Sequence, residues 1–386
     1  MYKTLLKKAK NTTMANTNSD LKKTRLISLD ALRGFDMFWI IGGSSMIITL
    51  VKVLGLPENW VNGLALQMTH VKWDGFHFLD LIFPLFVFIS GVAIPYSILS
   101  KKAKGVPIKK LQYQIIKRSL IIVFIGLSFS LFKFKWEAIR LYQVLWLIGM
   151  SYMIGASITL HVESWKYRLL IFFVILVLYH IIIFYLPYPE KGETITPGNN
   201  LAAWLDRNLI KTNLAVGVYD AEGTIRIFPA AMVSVLGALT GERIKWYAQP
   251  KLRCGIELLI AGLVCLFLGW CWSFSFPIIK GLWSPSYVLW ASGWSLLLLA
   301  LFYTVMDVWK LTWVGWIFVP IGMNAITIYA AHWYLPLHDS RDFFFRGFAN
   351  LFDNLNTQQF ILSTGLVIIQ WIILYILYRK KIFIRV

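Results

Sequence analysis

Apolar runs long enough to cross a bilayer recur along this 386-residue chain, and short polar or basic stretches separate them. A spanning helix needs about 20 predominantly apolar residues. Ten segments meet that requirement, at 26–53, 77–99, 114–132, 140–160, 168–187, 224–241, 254–276, 285–306, 311–331 and 360–378. The pattern predicts an all-α integral membrane protein, a bundle of about ten transmembrane helices, and an even number of crossings puts both termini on one face. Residues 1–24 are polar and basic and read as a disordered tail, leaving 25–386 as one transmembrane domain. The first apolar run is long enough to span and stay, so no cleavable leader is expected.

Composition agrees with a bilayer and excludes an ordinary soluble domain. The chain is 58% hydrophobic and 16% aromatic, with a mean hydropathy of +0.63, well above soluble averages. Its net charge of +19 does not indicate nucleic acid, because the basic residues form short clusters between apolar runs. Those clusters report topology instead. Lys and Arg number 25 on the face that holds the termini and 12 on the other, with Arg33 inside the first helix. The positive-inside rule then makes both termini cytoplasmic. The outer loops become 54–76, 133–139, 188–223, 277–284 and 332–359. Three cysteines, Cys254, Cys265 and Cys271, fall in or beside one apolar run without metal spacing, and no metal is expected.

Polar chemistry meets the membrane most sharply between Thr69 and Gly91, THVKWDGFHFLDLIFPLFVFISG. An intramembrane carboxylate is expensive and reads as functional by default, which singles out Asp80. His70 lies in the preceding outer loop. An imidazole there suits a general base or a nucleophile, because its pKa lies near working pH. A carboxylate ten residues on would fix its tautomer if the loop folds back over the helix end.

Other candidates lie elsewhere along the chain. In SLDALRGFDMFWIIGG, Asp30 and Arg33 sit three apart on one helical face, either as an anchoring ion pair or with Arg33 gripping a phosphate that arrives from the cytoplasm. PIIKGLWSPSY puts Lys280 and Ser284 at the outer start of a helix, and IGMNAITIYAAHWY puts Asn324 two turns from His332 near one face. Asn324 then serves either as glue between helices or as a cavity residue. His180, in an apolar helix, is read as structural. The long loop 188–223 carries Trp204, Asp206, Arg207, Tyr219, Asp220 and Glu222. Loops of that length are functional or disordered, and this mixture favours a loop folded over the site.

Together these stretches resemble the heparan-alpha-glucosaminide N-acetyltransferase family and its bacterial relatives among transmembrane acyltransferases. The resemblance runs from Arg25 onward. It rests on RLISLDALRG, on H-x-x-W-x-G followed by DLIFPLFVF, on WLDR and YDAEG, on K-x-L-W-S-x-S-Y, on GMNAI with its following histidine, and on the closing LYRKKIF. It implies acetyl-CoA as a cytoplasmic co-substrate and an amino sugar or glycan acceptor across the bilayer. It also implies a bacterial inner membrane with the active histidine periplasmic, and a homodimer as the assembly to test. His70 matches the family's catalytic loop histidine, an acetyl carrier or a base, with Asp80 orienting it. Arg33, Asn324, Lys280, Ser284 and Arg140 are the expected cofactor contacts. Trp73, His332, Asp206 and Asp220 are the expected substrate contacts. Where many relatives carry a Gln-Arg pair early in the fourth helix, this chain reads Tyr142-Gln143-Val144-Leu145-Trp146-Leu147, so that contact is either lost or moved to Arg140 or Gln143. The rival readings are a sugar O-acyltransferase, a secondary transporter for a sugar or acyl anion, and an envelope scaffold without turnover.

Overall fold

In the computed structural model, residues 26–131, 139–189, 191–192, 195–209 and 213–383 are described. The polar tail expected at 1–24 lies outside them. Among the described residues nine helices are long and apolar enough to span a membrane. With the shorter helices between them they are α1 (Ile27–Val53), α2 (Glu58–Gln67), α3 (Leu79–Ala103), α4 (Ile108–Leu131), α5 (Val144–His161), α6 (Trp165–Tyr185), α7 (Leu201–Asn208), α8 (Thr224–Trp246), α9 (Leu252–Ser273), α10 (Pro285–Val308), α11 (Phe318–Met323), α12 (Ala325–Tyr334), α13 (Leu337–Ala349) and α14 (Leu355–Arg379). No strand interrupts them among the described residues. Only helices satisfy every backbone group within a single membrane segment.

One predicted span takes a different form. The 311–331 run is divided into α11 and α12 at Asn324, whose φ of −128° and ψ of 34° leave the helical region. Pro320 lies just upstream and withholds a backbone donor. The buried Asn324 amide reaches the carbonyl of Ile382 at 3.1 Å, tying the break to the chain's far end. Apolar content alone does not distinguish such a broken passage from a continuous helix.

The bundle has a centre and a rim. In α8, 72% of the most apolar window is buried inside the protein, against 28% in each of α6, α9 and α14. The rim helices present leucines and isoleucines outward, as lipid contact requires. At the centre α3 and α8 cross with backbones touching. A Cβ at Gly91 would come within 2.2 Å of the Ser234 carbonyl oxygen, and one at Gly237 within 2.2 Å of that of Phe88. Small residues permit this approach, which is how helices associate in lipid without a hydrophobic driving force. The crossing holds α3, and with it Asp80, in the middle of the molecule.

Candidate active site

Asp80 sits in the first turn of α3 with no exposed surface. Burying a lone carboxylate costs several kcal/mol, and four donors offset that cost. The backbone N–H groups of Val71 and His77 reach Oδ2 at 3.2 and 3.0 Å. At Oδ1, His70 Nδ1 lies 2.8 Å away and Lys280 Nζ 3.0 Å away. Because a carboxylate only accepts, Nδ1 carries a proton, and in the neutral ring the lone pair is then on Nε2. Lys280 Nζ also lies 2.9 Å from Nδ1, so the three side chains form one compact cluster. Burial weakens the hold of Lys280 on its proton, and Asp80 opposes that effect. The His70 side chain is 56% exposed.

The loop carrying His70 is pinned by backbone bonds as well as side chains. Gly75 takes a φ of 116°, a conformation glycine adopts at little cost, and its N–H donates to the carbonyl of Ile278 at 2.9 Å. Asp74 and Ile279 form an antiparallel bridge beside it. His77 contributes its ring too, with Nδ1 lying 3.0 Å from the Thr69 carbonyl oxygen. The histidine loop and the Lys280 loop therefore form a single clamp. Tyr287 completes it from α10 by donating its hydroxyl to the Asp80 carbonyl at 2.8 Å.

Below the clamp opens a cavity of about 340 Å³, between α1, α3, α5 and α12. Its walls include Met37, Ile40, Phe83, Phe86, Ile148 and Tyr329, and its polar end is formed by His70, Lys280 and Glu222. Apolar walls with a few convergent polar groups are the ordinary form of a small-molecule site. Arg33 does not line this cavity. It lies one helical turn beyond Met37, about 6 Å along the axis, and pairs with Asp30 at 3.4 Å.

The remaining expected contacts divide between wall and frame. Trp73 packs edge-on against Tyr219, with ring centroids 5.5 Å apart. Arg140 takes Asp220 through Nε at 2.8 Å and Nη2 at 2.7 Å, and Glu222 through Nη2 at 2.8 Å. Burial raises the Asp220 carboxyl, but the Arg140 bonds outweigh it and hold that group below its ordinary range. Glu222 moves upward, through burial first and then the neighbouring Asp220, with Arg140 in opposition. Asp206 pairs with Arg226 at 2.7 Å, both fully buried, and Arg226 Nε donates to the Gly281 carbonyl at 2.6 Å. This pair ties the long loop to α8 and the Lys280 loop.

Four of the expected residues lie away from the cavity or are committed elsewhere. Ser284 is buried, accepts from the Ile279 and Tyr287 N–H groups and donates to the Pro277 carbonyl; it is the N-cap of α10, with Pro285 at the first helical position. Asn324 is held at the helix break. His332 is exposed, its ring 6.0 Å from that of His338. Asp206 is sealed against Arg226. His180 accepts from Trp272 Nε1 at 3.0 Å, the structural bond expected of it. Glu222, which the sequence marked as one of the long loop's polar residues without a role of its own, lines the cavity, held by Arg140 in a loop that the Asp206–Arg226 pair fastens.

Among the described residues no group of three His, Cys, Asp or Glu side chains could hold a metal ion. No family model matches the chain. The chain is 26% identical to heparan-alpha-glucosaminide N-acetyltransferase of Mus musculus over 423 aligned positions, covering 94% of this chain and 61% of that protein. It is 27% identical to the Homo sapiens protein of the same name over 425 positions, covering 93% and 59%. The chain thus spans about three fifths of the length of the curated relatives it matches. The similarity extends over nearly the whole of this chain and supports a distant family relationship to the heparan-alpha-glucosaminide N-acetyltransferases.

Proposed function

We propose that this chain is a transmembrane acetyltransferase, moving an acetyl group from acetyl-CoA to the amino group of a glucosamine-type sugar at the His70 face of the membrane. The observation that carries the proposal is the His70–Asp80–Lys280 cluster at the mouth of an intramembrane cavity. The distant relatives supply the reaction class. The excess of Lys and Arg on the terminal face supplies the sidedness.

Each group has a task that follows from its place. Asp80 holds the imidazole with Nε2 toward the reacting carbon, the orienting role a carboxylate plays in acyl-transfer triads. Lys280, adjoining that imidazole, offers a cation for the negative charge that develops on the carbonyl oxygen. The apolar walls suit the uncharged arm of the thioester, and Arg33, deeper along α1, would meet its phosphates. Trp73, half-buried and backed by the buried Tyr219 ring, offers an aromatic surface to a sugar. Ser284, Asn324, His332, Asp206 and Asp220 have no direct part in this scheme.

The test is transfer itself. Purified protein in detergent, given acetyl-CoA and glucosamine, is expected to yield N-acetylated product by mass spectrometry. His70→Ala should lower the rate by about 10²–10⁴-fold while leaving acetyl-CoA binding intact. Unchanged transfer by that variant would remove His70 from the chemistry. Sugar movement across vesicles without any acetylated product would favour the transporter instead.

A further inference from the structure

Four residues of charge-bearing type gather at the outer end of the cavity besides His70, and the scheme above gives a reacting role to only two of them, Asp80 and Lys280. The other two are Arg140 and Glu222. Arg140 does not line the cavity and is engaged by Asp220 and Glu222. Glu222 lines the cavity together with His70 and Lys280. Its Oε2 accepts from Arg140 at 2.8 Å, and its backbone N–H donates to Asp220 Oδ1 at 3.2 Å, so both the side chain and the backbone are fixed. Glu222 thus reaches the cavity wall from the long loop, whereas His70 enters from the loop before α3.

We infer that Glu222 is the general base that takes the proton from the acceptor amine during acetyl transfer. The inference rests on the acetyltransferase reading and names a group which that reading leaves unassigned. With Nδ1 held by Asp80, His70 has a single free nitrogen. If that nitrogen carries or receives the acetyl group, it cannot also remove the amine's proton, and a second base is needed. Glu222 is the carboxylate that lines the cavity without serving the imidazole. The charged groups around it are Arg140 and Asp220 on either side of α5's start and the long loop, and Lys280 from the clamp; the titratable ones are His70, Tyr287 of α10 and Tyr329 of α12. Burial and Asp220 raise its proton affinity towards the working range, where a base is most effective.

The step balances. In the first half-reaction Nε2 bonds to the acetyl carbon as the C–S bond breaks, and the sulfur leaves with that electron pair as thiolate and takes up a solvent proton. In the second the amine nitrogen bonds to the acetyl carbon as its bond to Nε2 breaks, and the imidazole recovers its lone pair. The proton of the amine passes to Glu222 and returns to solvent.

The experiment compares wild-type protein with Glu222→Gln and Glu222→Asp, using acetyl-CoA and glucosamine between about pH 5 and 9, with acetyl-CoA binding measured on the same samples. The expected result is a wild-type rate that rises as Glu222 loses its proton. Glu222→Gln should fall by about 10²-fold or more with donor affinity within about threefold, and should lose that acid limb; Glu222→Asp should recover part of the rate and keep the limb. A Gln variant that transfers within about threefold of wild type, with the same limb, overturns the role. Should Gln also lose donor binding, the Asp variant decides: donor binding and a limb restored together support the base, and donor binding restored without a limb overturns it. A wild-type protein that acetylates no amine overturns the acetyltransferase reading and the base with it, whereas wild-type transfer beside an unaffected Gln variant overturns the base alone.

Discussion

Asp80 and Asp206 are both carboxylates with no exposed surface, and each is gripped by a cation, Lys280 at 3.0 Å and Arg226 at 2.7 Å. Their surroundings set them apart. The second partner of Asp80 is an imidazole more than half open, which faces a cavity. The partner of Asp206 is a guanidinium with no exposure at all, whose other bond goes to a backbone carbonyl. A buried carboxylate marks chemistry only when something it holds can still meet a substrate; otherwise it is a fastening. For a fastening, desolvation consumes much of the Coulombic gain, so its main contribution is to fix one arrangement of loops.

Substitutions can break or sharpen this contrast. Asp206→Ala carries the largest expected effect, because it leaves the Arg226 charge buried and alone. It should cost about 3–5 kcal/mol of stability, read as a lower unfolding midpoint in detergent, with transfer per folded molecule little changed. Transfer abolished at full stability would move Asp206 into the site. Asp80→Asn should do the reverse, keeping shape and losing charge. Transfer is expected to fall about 10²-fold, equivalent to about 2.7 kcal/mol of transition-state stabilisation, with a smaller stability loss than Asp206→Ala, since Lys280 retains some access to solvent. Kinetics and thermal unfolding on one preparation separate these outcomes. Ser284→Ala is the mildest. Loss of a helix cap costs about 1 kcal/mol and should leave the transfer rate alone; a large fall in rate without loss of stability would contradict its capping role.

Much of the fold could be read from the chain because lipid enforces it. Runs of apolar residues had to become helices, and nine of the ten predicted spans correspond to helical stretches long and apolar enough to cross a membrane among the described residues, the first of them kinked at Gly42. The break at Asn324 was hidden, because hydropathy does not respond to a backbone that leaves the helical region for a single residue. In the site, His70 and Asp80 stood out by residue type and depth, and ten residues of chain suffice to bring them together. Lys280 was marked by its motif, but its bond to Asp80 crosses 200 positions of sequence and depends on the Gly75–Ile278 backbone bond. The same long-range closure explains the misplacements. Ser284 looked like a cavity hydroxyl because a cap and a ligand share a residue type. Asp206 and Asp220 looked like sugar contacts because the arginines that claim them lie 20 and 80 positions away. Glu222 went unassigned because its direction is set by a loop fold that local pattern does not encode.

The exposure of His70 has a consequence for efficiency. In the proposed relay, an acetyl group on an imidazole that stands more than half open is within reach of water, a competing nucleophile that a bound acceptor must beat by orientation. On that reading the acceptor sugar also serves as the cover that keeps water away, so that coupling between thioester consumed and amide formed becomes a property of acceptor occupancy.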